Sequence, residues 1–190
     1  MTTREAIADA DGDIAALVYT SGDRPDFVLS DFARHLAATG RRASGLVQFR
    51  DRPLEKSARR LLLAESRQLV EVTRRHDGPC SLDADWLDRM GGEAKASIRR
   101  GVDAVIVNRF GPLEAAGRGF RDAILAAWET ETPLVVAVPV FEFERWTRFS
   151  DGMTVRLDCT LDSVMGWWRG VSTPGARALA AEHRACALFK

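Results

Sequence analysis

Short apolar runs that alternate with amphipathic helices are the feature that most constrains this fold. "IAALVY" (Ile14–Tyr19) is a continuous apolar run, as expected for a strand buried on both faces of a sheet. The next apolar residues, from Phe27 to Ala37, recur every three or four positions and predict a helix that starts near Pro25. Asp23 or its neighbour is expected to cap this helix. Ala43–Gln48 predicts the second strand of a βαβ unit.

The same alternation continues through the middle of the chain. Strands are predicted at Val102–Phe110 and Pro133–Pro139, with a helix from about Phe120 to Trp128 between them. This pattern predicts an α/β fold: a three-layer, mostly parallel sheet with helices on both faces. The chain has 190 residues, of which 46% are hydrophobic, and shows no linker or internal repeat. We therefore expect one α/β domain that spans residues 1–190.

Three segments are less regular. Leu61–Arg75 favours a β-hairpin that turns near residues 65–67, although its apolar spacing also allows a helix. Cys80–Gly101 predicts a helix that Gly91–Gly92 breaks or kinks. Near the C-terminus, Val164 begins an i, i+3, i+4, i+7 pattern of a short amphipathic helix, whose Trp167 and Trp168 are expected in a core or an interface.

The composition argues against several function classes. Lys+Arg and Asp+Glu both total 27, so the formal net charge is zero and we expect no nucleic-acid or membrane-surface partner. The three cysteines lack CxxC spacing, which indicates free thiols in a reducing cytosol and no metal site. No apolar stretch reaches about 18 residues, so we predict a cytoplasmic protein without a signal peptide or membrane span.

Ligands of an open parallel sheet bind beyond the carboxyl ends of its strands, near the point where strand order reverses. This rule selects three loops: Thr20–Asp26, Asn108–Gly119 and the chain from Val140 onward.

The first loop has the position of a phosphate loop but lacks its lysine. Ser21 and Gly22 precede a helix N-terminus, where backbone N–H groups and the helix dipole favour an anion. In a Walker A motif counted from Gly22, the second glycine and the lysine would fall at Phe27 and Val28. Asp23 and Asp26 add negative charge where a triphosphate would lie. The loop is either a modified anion site or a turn that only connects strand to helix.

The second loop, "NRFGPLEAAGRG", concentrates arginine and glycine at a helix start. Gly117 and Gly119 allow close backbone approach, and guanidinium groups with free N–H groups suit a tetrahedral oxyanion or phosphate. The alternative is a surface loop whose arginines pair with Glu114 and Asp122.

The segments "VNRFGPLEAAGRGFRDAI", "IAALVY…LSDFARHLAATGRRASGLVQ" and "PLVVAVP" followed by "WW" together resemble a bacterial family of unknown function. That family is grouped with P-loop NTPase-like folds, is similar to thermophile-type nucleoside-triphosphatases, and is often associated with molybdate transport genes. The resemblance implies a P-loop NTPase-like fold, from which this chain departs in its degenerate Walker A loop, and it matches Glu114 to the strand-end acidic residue of the triphosphatases. It implies molybdate or tungstate as one candidate ligand, and a nucleotide with magnesium as another.

These observations predict a cytosolic small-anion-binding protein whose ligand lies between the first and second loops. The predicted ligand-binding residues are Ser21, Gly22, Asp23, Gln48, Asn108, Arg109, Glu114, Gly117, Arg118, Gly119 and Arg121. Arginines would neutralise the ligand, and loop N–H groups would set its geometry.

Two alternatives stay open. One is an NTPase or nucleotide-processing enzyme in which an arginine replaces the lysine and Glu114 or Asp23 orients magnesium or water. The other is a regulatory or assembly protein that acts through its surface. No catalytic residue is assigned, and a homo-oligomer is left open.

Overall fold

The computed structural model describes residues 12–49, 58–63, 68–73 and 84–172. Its strands are β1 (Ile14–Tyr19), β2 (Ala43–Phe49), β3 (Ala58–Leu63), β4 (Gln68–Thr73), β5 (Ala104–Val107), β6 (Leu134–Pro139) and β7 (Val155–Asp158). Its helices are α1 (Pro25–Ala38), α2 (Ala84–Arg99), α3 (Pro112–Ala115), α4 (Arg121–Glu129), α5 (Phe143–Phe149) and α6 (Leu161–Ser172). A 3₁₀ turn, Val140–Glu142, follows β6.

All seven described strands form one sheet in the order β4-β3-β2-β5-β6-β1-β7. The five strands from β2 to β7 in that order are parallel, whereas β3 and β4 extend the β2 edge as an antiparallel hairpin. The predicted α/β fold with a mostly parallel sheet is confirmed. The single-domain prediction also covers residues outside the described ranges and stays a prediction.

Helices cover both faces of the sheet, which gives the three predicted layers. Leu29, Phe32 and Leu36 of α1 pack with the tryptophans of α6 on one face. Residues of α2, α4 and α5 form a second core on the other face. Because β1 lies between β6 and β7, its alternate side chains enter both cores, which explains its continuous apolar sequence.

The strand order reverses at β1. The chain leaves β1 through α1 for β2, and it then returns through β5 and β6 before passing β1 to reach β7. Tyr19 is paired in register with Pro139, so the carboxyl ends of β1 and β6 lie side by side. This edge is therefore where the topology favours a ligand.

Most of the predicted elements are confirmed, and the differences have physical causes. The hairpin reading of Leu61–Arg75 is confirmed by the antiparallel pairing of β3 with β4, while residues 64–67 at the turn lie outside the described residues. Residues 80–83, at the start of the predicted Cys80–Gly101 helix, also lie outside the described residues. The predicted break at Gly91–Gly92 is wrong, because α2 runs through both glycines.

The C-terminal third is more regular than its sequence indicated. Helix α5 and strand β7 were not predicted. The α6 helix is confirmed, with Trp167 and Trp168 both buried in a core. None of the described helices combines the length and hydrophobicity needed to cross a membrane.

Candidate functional site

A cavity of about 380 Å³ lies at the carboxyl end of β1. It is lined by Tyr19, Thr20, Ser21, Asp23, Arg24, Pro25, Asp26 and Arg109. We call it the carboxyl-edge cavity. It combines the first predicted loop with the beginning of the second, at the edge where strand order reverses.

A buried hydrogen bond holds the two loops together. Nδ2 of Asn108, just beyond β5, donates to Oδ1 of Asp26 in the first turn of α1 at 2.7 Å. Both residues are only 7% exposed. Oδ1 of Asn108 is also buried, and it has no hydrogen-bond partner within the described part of the chain. A buried bond to a charged group contributes about 1.5–3 kcal/mol, so this contact fixes the relative position of the loops.

Arg109 brings a cation to the cavity. Its guanidinium carbon lies 5.5 Å from the centre of the Tyr19 ring, an arrangement that a cation–π attraction favours. Arg109 follows a cis peptide bond from Asn108. A second cation in the lining, Arg24, comes from the loop before α1 and was not among the predicted site residues.

The Thr20–Asp23 loop folds onto its own carboxylate. Oδ2 of Asp23 accepts hydrogen bonds from the backbone N–H and the hydroxyl of Thr20, both at 2.7 Å. These two bonds lower the pKa of Asp23 below its ordinary value. The Asp23 N–H donates to the carbonyl of Thr20, and the Gly22 N–H donates to the Thr20 hydroxyl. The loop's own groups therefore take several of the donors that an anion would use.

The expected cap on α1 is wrong. The N-cap position is Arg24, which makes no side-chain capping bond, and Asp23 bonds to Thr20 instead. Pro25 occupies the first turn as predicted.

Cys159, which follows β7, lies against the same loop, and sequence reasoning had not placed it there. Desolvation and the negative charge of Asp23 raise the pKa of its thiol to about 11, against a smaller lowering effect of a hydrogen bond from the Arg24 N–H. The thiol is therefore protonated at neutral pH, and it presents a weakly polar, uncharged group to the loop.

The end of the second loop faces a different partner. Arg118 donates to Asp85 at 2.6 Å, and to Asp88 at 2.9 Å through Nε and 2.6 Å through Nη2, both on α2. The Gly119 N–H also donates to Asp88. Arg121 lies 3.8 Å from Asp122. Neither arginine lines the carboxyl-edge cavity among the described residues.

Glu114 organises this part of the loop from inside. Its Oε2 accepts from the Gly111 N–H at 3.0 Å, and its Oε1 accepts from the Phe120 N–H at 3.4 Å. Burial is the largest cause that raises its pKa to about 7, and the charge of Asp88 adds to it, against the lowering effect of the backbone hydrogen bonds. Gly119 has a positive φ of 61°, and a Cβ on it would lie 2.5 Å from Oε1 of the buried Glu114, so this turn favours glycine. Gly117 has a positive φ of 90°.

The structure divides most of the predicted site residues into two groups, and Gly22, whose N–H donates to Thr20, and Gln48 belong to neither. Ser21, Asp23 and Arg109 line the carboxyl-edge cavity, and Asn108 lies directly behind it. Gln48 is buried in β2, the strand beside β5. The remaining members of the second loop surround Glu114 and α2. Among the described residues, no group of three or more His, Cys, Asp or Glu side chains could hold a metal ion.

Comparison with known proteins identifies the family. Residues 14–167, which include both loops, match a family described as "Protein of unknown function (DUF2478)". The chain belongs to this family. The α/β fold with five parallel strands in a DUF2478 chain is compatible with a P-loop NTPase-like relationship.

This DUF2478 chain is also similar to part of a much longer protein. It is 32% identical over 165 residues to "Molybdenum import ATP-binding protein ModC 2" of Bradyrhizobium diazoefficiens. The match covers 84% of this chain and 18% of that protein, so the chain spans less than a fifth of its relative. No solved structure matches the chain.

Proposed function

We propose that this protein binds a small anionic ligand in the carboxyl-edge cavity. The ligand is an oxyanion such as molybdate or tungstate, or the phosphate group of a nucleotide. The observation that carries the proposal is the buried Asn108–Asp26 hydrogen bond, because it draws the end of β5 against the start of α1. Arg109 from one loop and Arg24 from the other then line one cavity.

The two arginines supply the charge that a Walker A lysine would otherwise provide. A guanidinium presents several N–H donors in a fixed plane, which suits the oxygens of a tetrahedral anion. The Tyr19 ring supports Arg109 from one side. The hydroxyl group of Ser21 adds a neutral donor to the same lining.

Arg118 is left out of the proposed ligand contacts. Its guanidinium already donates to two carboxylates of α2, so binding an anion would require those bonds to break. Arg24 takes its place in the proposal because it lines the cavity.

The similarity to the molybdenum import protein supports both ligand classes, since its name refers to molybdenum and to ATP. The aligned stretch is 18% of that protein, and the Thr20–Asp26 loop contains no lysine. ATP hydrolysis is therefore not part of the proposal, whereas nucleotide binding is one arm of its test.

The test is a thermal unfolding series with molybdate, tungstate, sulfate, phosphate, ATP and GTP, each with and without magnesium. A ligand that binds only the folded state raises the melting temperature, and the shift grows with ligand concentration. We expect at least one oxyanion or nucleotide to give such a shift. Turnover of ATP that requires magnesium and is lost in Glu114→Gln would instead favour the NTPase alternative.

Arg109→Gln provides the site-specific arm of this experiment. We expect it to weaken binding by about tenfold, because a charge-assisted contact of 1–2 kcal/mol is lost. Arg148→Gln is the matched control, since Arg148 lies on α5 and pairs with Glu144 in solvent. Equal binding by wild type and Arg109→Gln would contradict the proposed site, and no shift with any anion would contradict the proposed function.

A further inference from the structure

We propose that Asp23 determines the charge selectivity of the carboxyl-edge cavity: its carboxylate takes the two Thr20 donors that an anionic ligand would use, and it opposes ligands in proportion to their negative charge. This inference rests on the proposed function. It assigns to Asp23 a role opposite to that of a residue that attracts the ligand.

The Asp23 carboxylate lies at the hydrogen-bond donors of its own loop. Oδ2 accepts two hydrogen bonds from Thr20, one from the backbone N–H and one from the hydroxyl, each at 2.7 Å. An oxygen of a bound phosphate or oxyanion accepts the same kinds of donors at the same distance. The carboxylate is thus an internal substitute for a ligand oxygen at the loop where an anion is expected.

Two neighbouring backbone donors of the loop already have acceptors. The Asp23 N–H is bonded to the Thr20 carbonyl, and the Gly22 N–H approaches the Thr20 hydroxyl. The Arg24 N–H lies near the thiol of Cys159. The backbone N–H and the hydroxyl of Thr20 are therefore the two donors that become available to a ligand when the Asp23 side chain turns away.

The two aspartates of the cavity lining differ in how firmly the fold holds them. Asp26 is buried and receives a hydrogen bond from Asn108, so its position is fixed by the fold. Asp23 is exposed, and the two hydrogen bonds that hold it go to one residue. Rotation of an exposed side chain requires no change in the core, so Asp23 is the adjustable group.

Positive and negative formal charges are balanced in the cavity lining. The charged residues of the lining are Arg24, Arg109, Asp23 and Asp26, which together sum to zero. Removing the charge of Asp23 alone leaves a net positive lining. Because Coulomb energy is proportional to the product of the charges, the resulting gain in affinity must increase with ligand charge.

The experiment compares two tetrahedral oxyanions of similar size, tungstate with two negative charges and perrhenate with one. Their affinities are measured by isothermal titration calorimetry for wild type and Asp23→Asn at low and high salt. Asparagine keeps a side-chain oxygen that can accept from Thr20 and favours turns, so the loop is retained. Asp23→Ser is a second uncharged variant that also suits a turn.

We expect Asp23→Asn to raise tungstate affinity by about fivefold and perrhenate affinity by a smaller factor. The gain for tungstate should decrease at high salt, because the groups are exposed to solvent. Asp151→Asn is the charge-matched control, since Asp151 is exposed, lies outside the cavity lining and has a positive φ of 51° that asparagine tolerates. It should leave both affinities unchanged.

Two results would overturn the inference while the proposed function stands: equal gains for tungstate and perrhenate, or tungstate binding that both uncharged Asp23 variants leave unchanged or weaken. An equal gain in Asp151→Asn would also overturn it, because the effect would then belong to the net charge of the protein. Absence of binding of any anion to wild type and to both Asp23 variants would overturn the proposed function together with this inference.

Discussion

Gly91 of α2 packs directly against the carbonyl group of Gly119. A Cβ on Gly91 would lie 2.2 Å from that carbonyl oxygen and 3.1 Å from its carbon. A non-bonded contact of 2.2 Å is essentially never seen for a Cβ atom, so the helix approaches the second loop this closely only because residue 91 is glycine. The neighbouring Gly92 has no heavy atom within 4 Å of the equivalent position. Close packing therefore requires glycine at position 91 of this helix but not at position 92.

Gly91→Ala should destabilise the protein by about 2 kcal/mol, because backbone atoms on both sides must shift to admit the methyl group. Gly92→Ala should instead stabilise it by about 0.5–1 kcal/mol through helix propensity alone. Urea unfolding of both variants measures the difference, and Gly92→Ala serves as the control within the same helix. Similar free energies of unfolding for the two variants would contradict the close packing of α2 on Gly119.

Asn108→Ala should cost about 1.5–3 kcal/mol of stability, because it removes a buried hydrogen bond to a carboxylate. It should also weaken tungstate binding, since the end of β5 that carries Arg109 is no longer held against α1. Arg34→Ala, which removes an exposed ion pair with Asp31 on α1, is expected to change stability by less than about 1 kcal/mol. A stability loss in Asn108→Ala no larger than in this control would contradict the bridging role of Asn108.

The central elements could be predicted because buried parallel strands have a plain sequence signature. β1 and β6 are apolar at nearly every position and are enclosed by both cores. β7 lacks this signature because it is a four-residue edge strand with exposed Arg156 and Asp158. Its omission also concealed Cys159, which reaches the cavity loop from the end of that strand.

The candidate site could be predicted only as far as the sheet edge. Asp26 and Asn108 are 82 positions apart, and their contact depends on a strand order that periodicity does not reveal. The partners of Arg118 were not predictable for the same reason. Its local acidic neighbours were Glu114 and Asp122, whereas the folded chain pairs it with Asp85 and Asp88 of α2.

Arg118→Gln separates the two groups of predicted site residues. Its ion pairs are partly exposed, so the loss of stability should be about 1 kcal/mol or less. Tungstate affinity should stay at the wild-type value, in contrast to the tenfold loss expected for Arg109→Gln. Calorimetric titration of the two variants side by side measures this. A loss of affinity in Arg118→Gln as large as in Arg109→Gln would show that the end of the second loop also contributes to ligand binding.

Glu114 should make the stability of the protein depend on pH between about 4.5 and 7. Burial raises the pKa of its carboxyl from 4.5 to about 7 in the folded protein, whereas the unfolded chain titrates near the ordinary value. Within this interval the folded state binds the extra proton. The free energy of unfolding therefore falls as pH rises, by up to about 3 kcal/mol in total, and the contribution is constant below and above the interval.

Glu114→Gln should abolish this contribution, because the amide is neutral at every pH. Urea unfolding of both chains from about pH 5 to about pH 8 isolates it, since all other titrating groups are common to the two. The stability of wild type relative to Glu114→Gln should decrease steadily as pH rises toward 7. A relative stability that is independent of pH would show that the Glu114 carboxyl titrates as it does in water, and that the second loop is more open to solvent than the Gly111 and Phe120 contacts indicate.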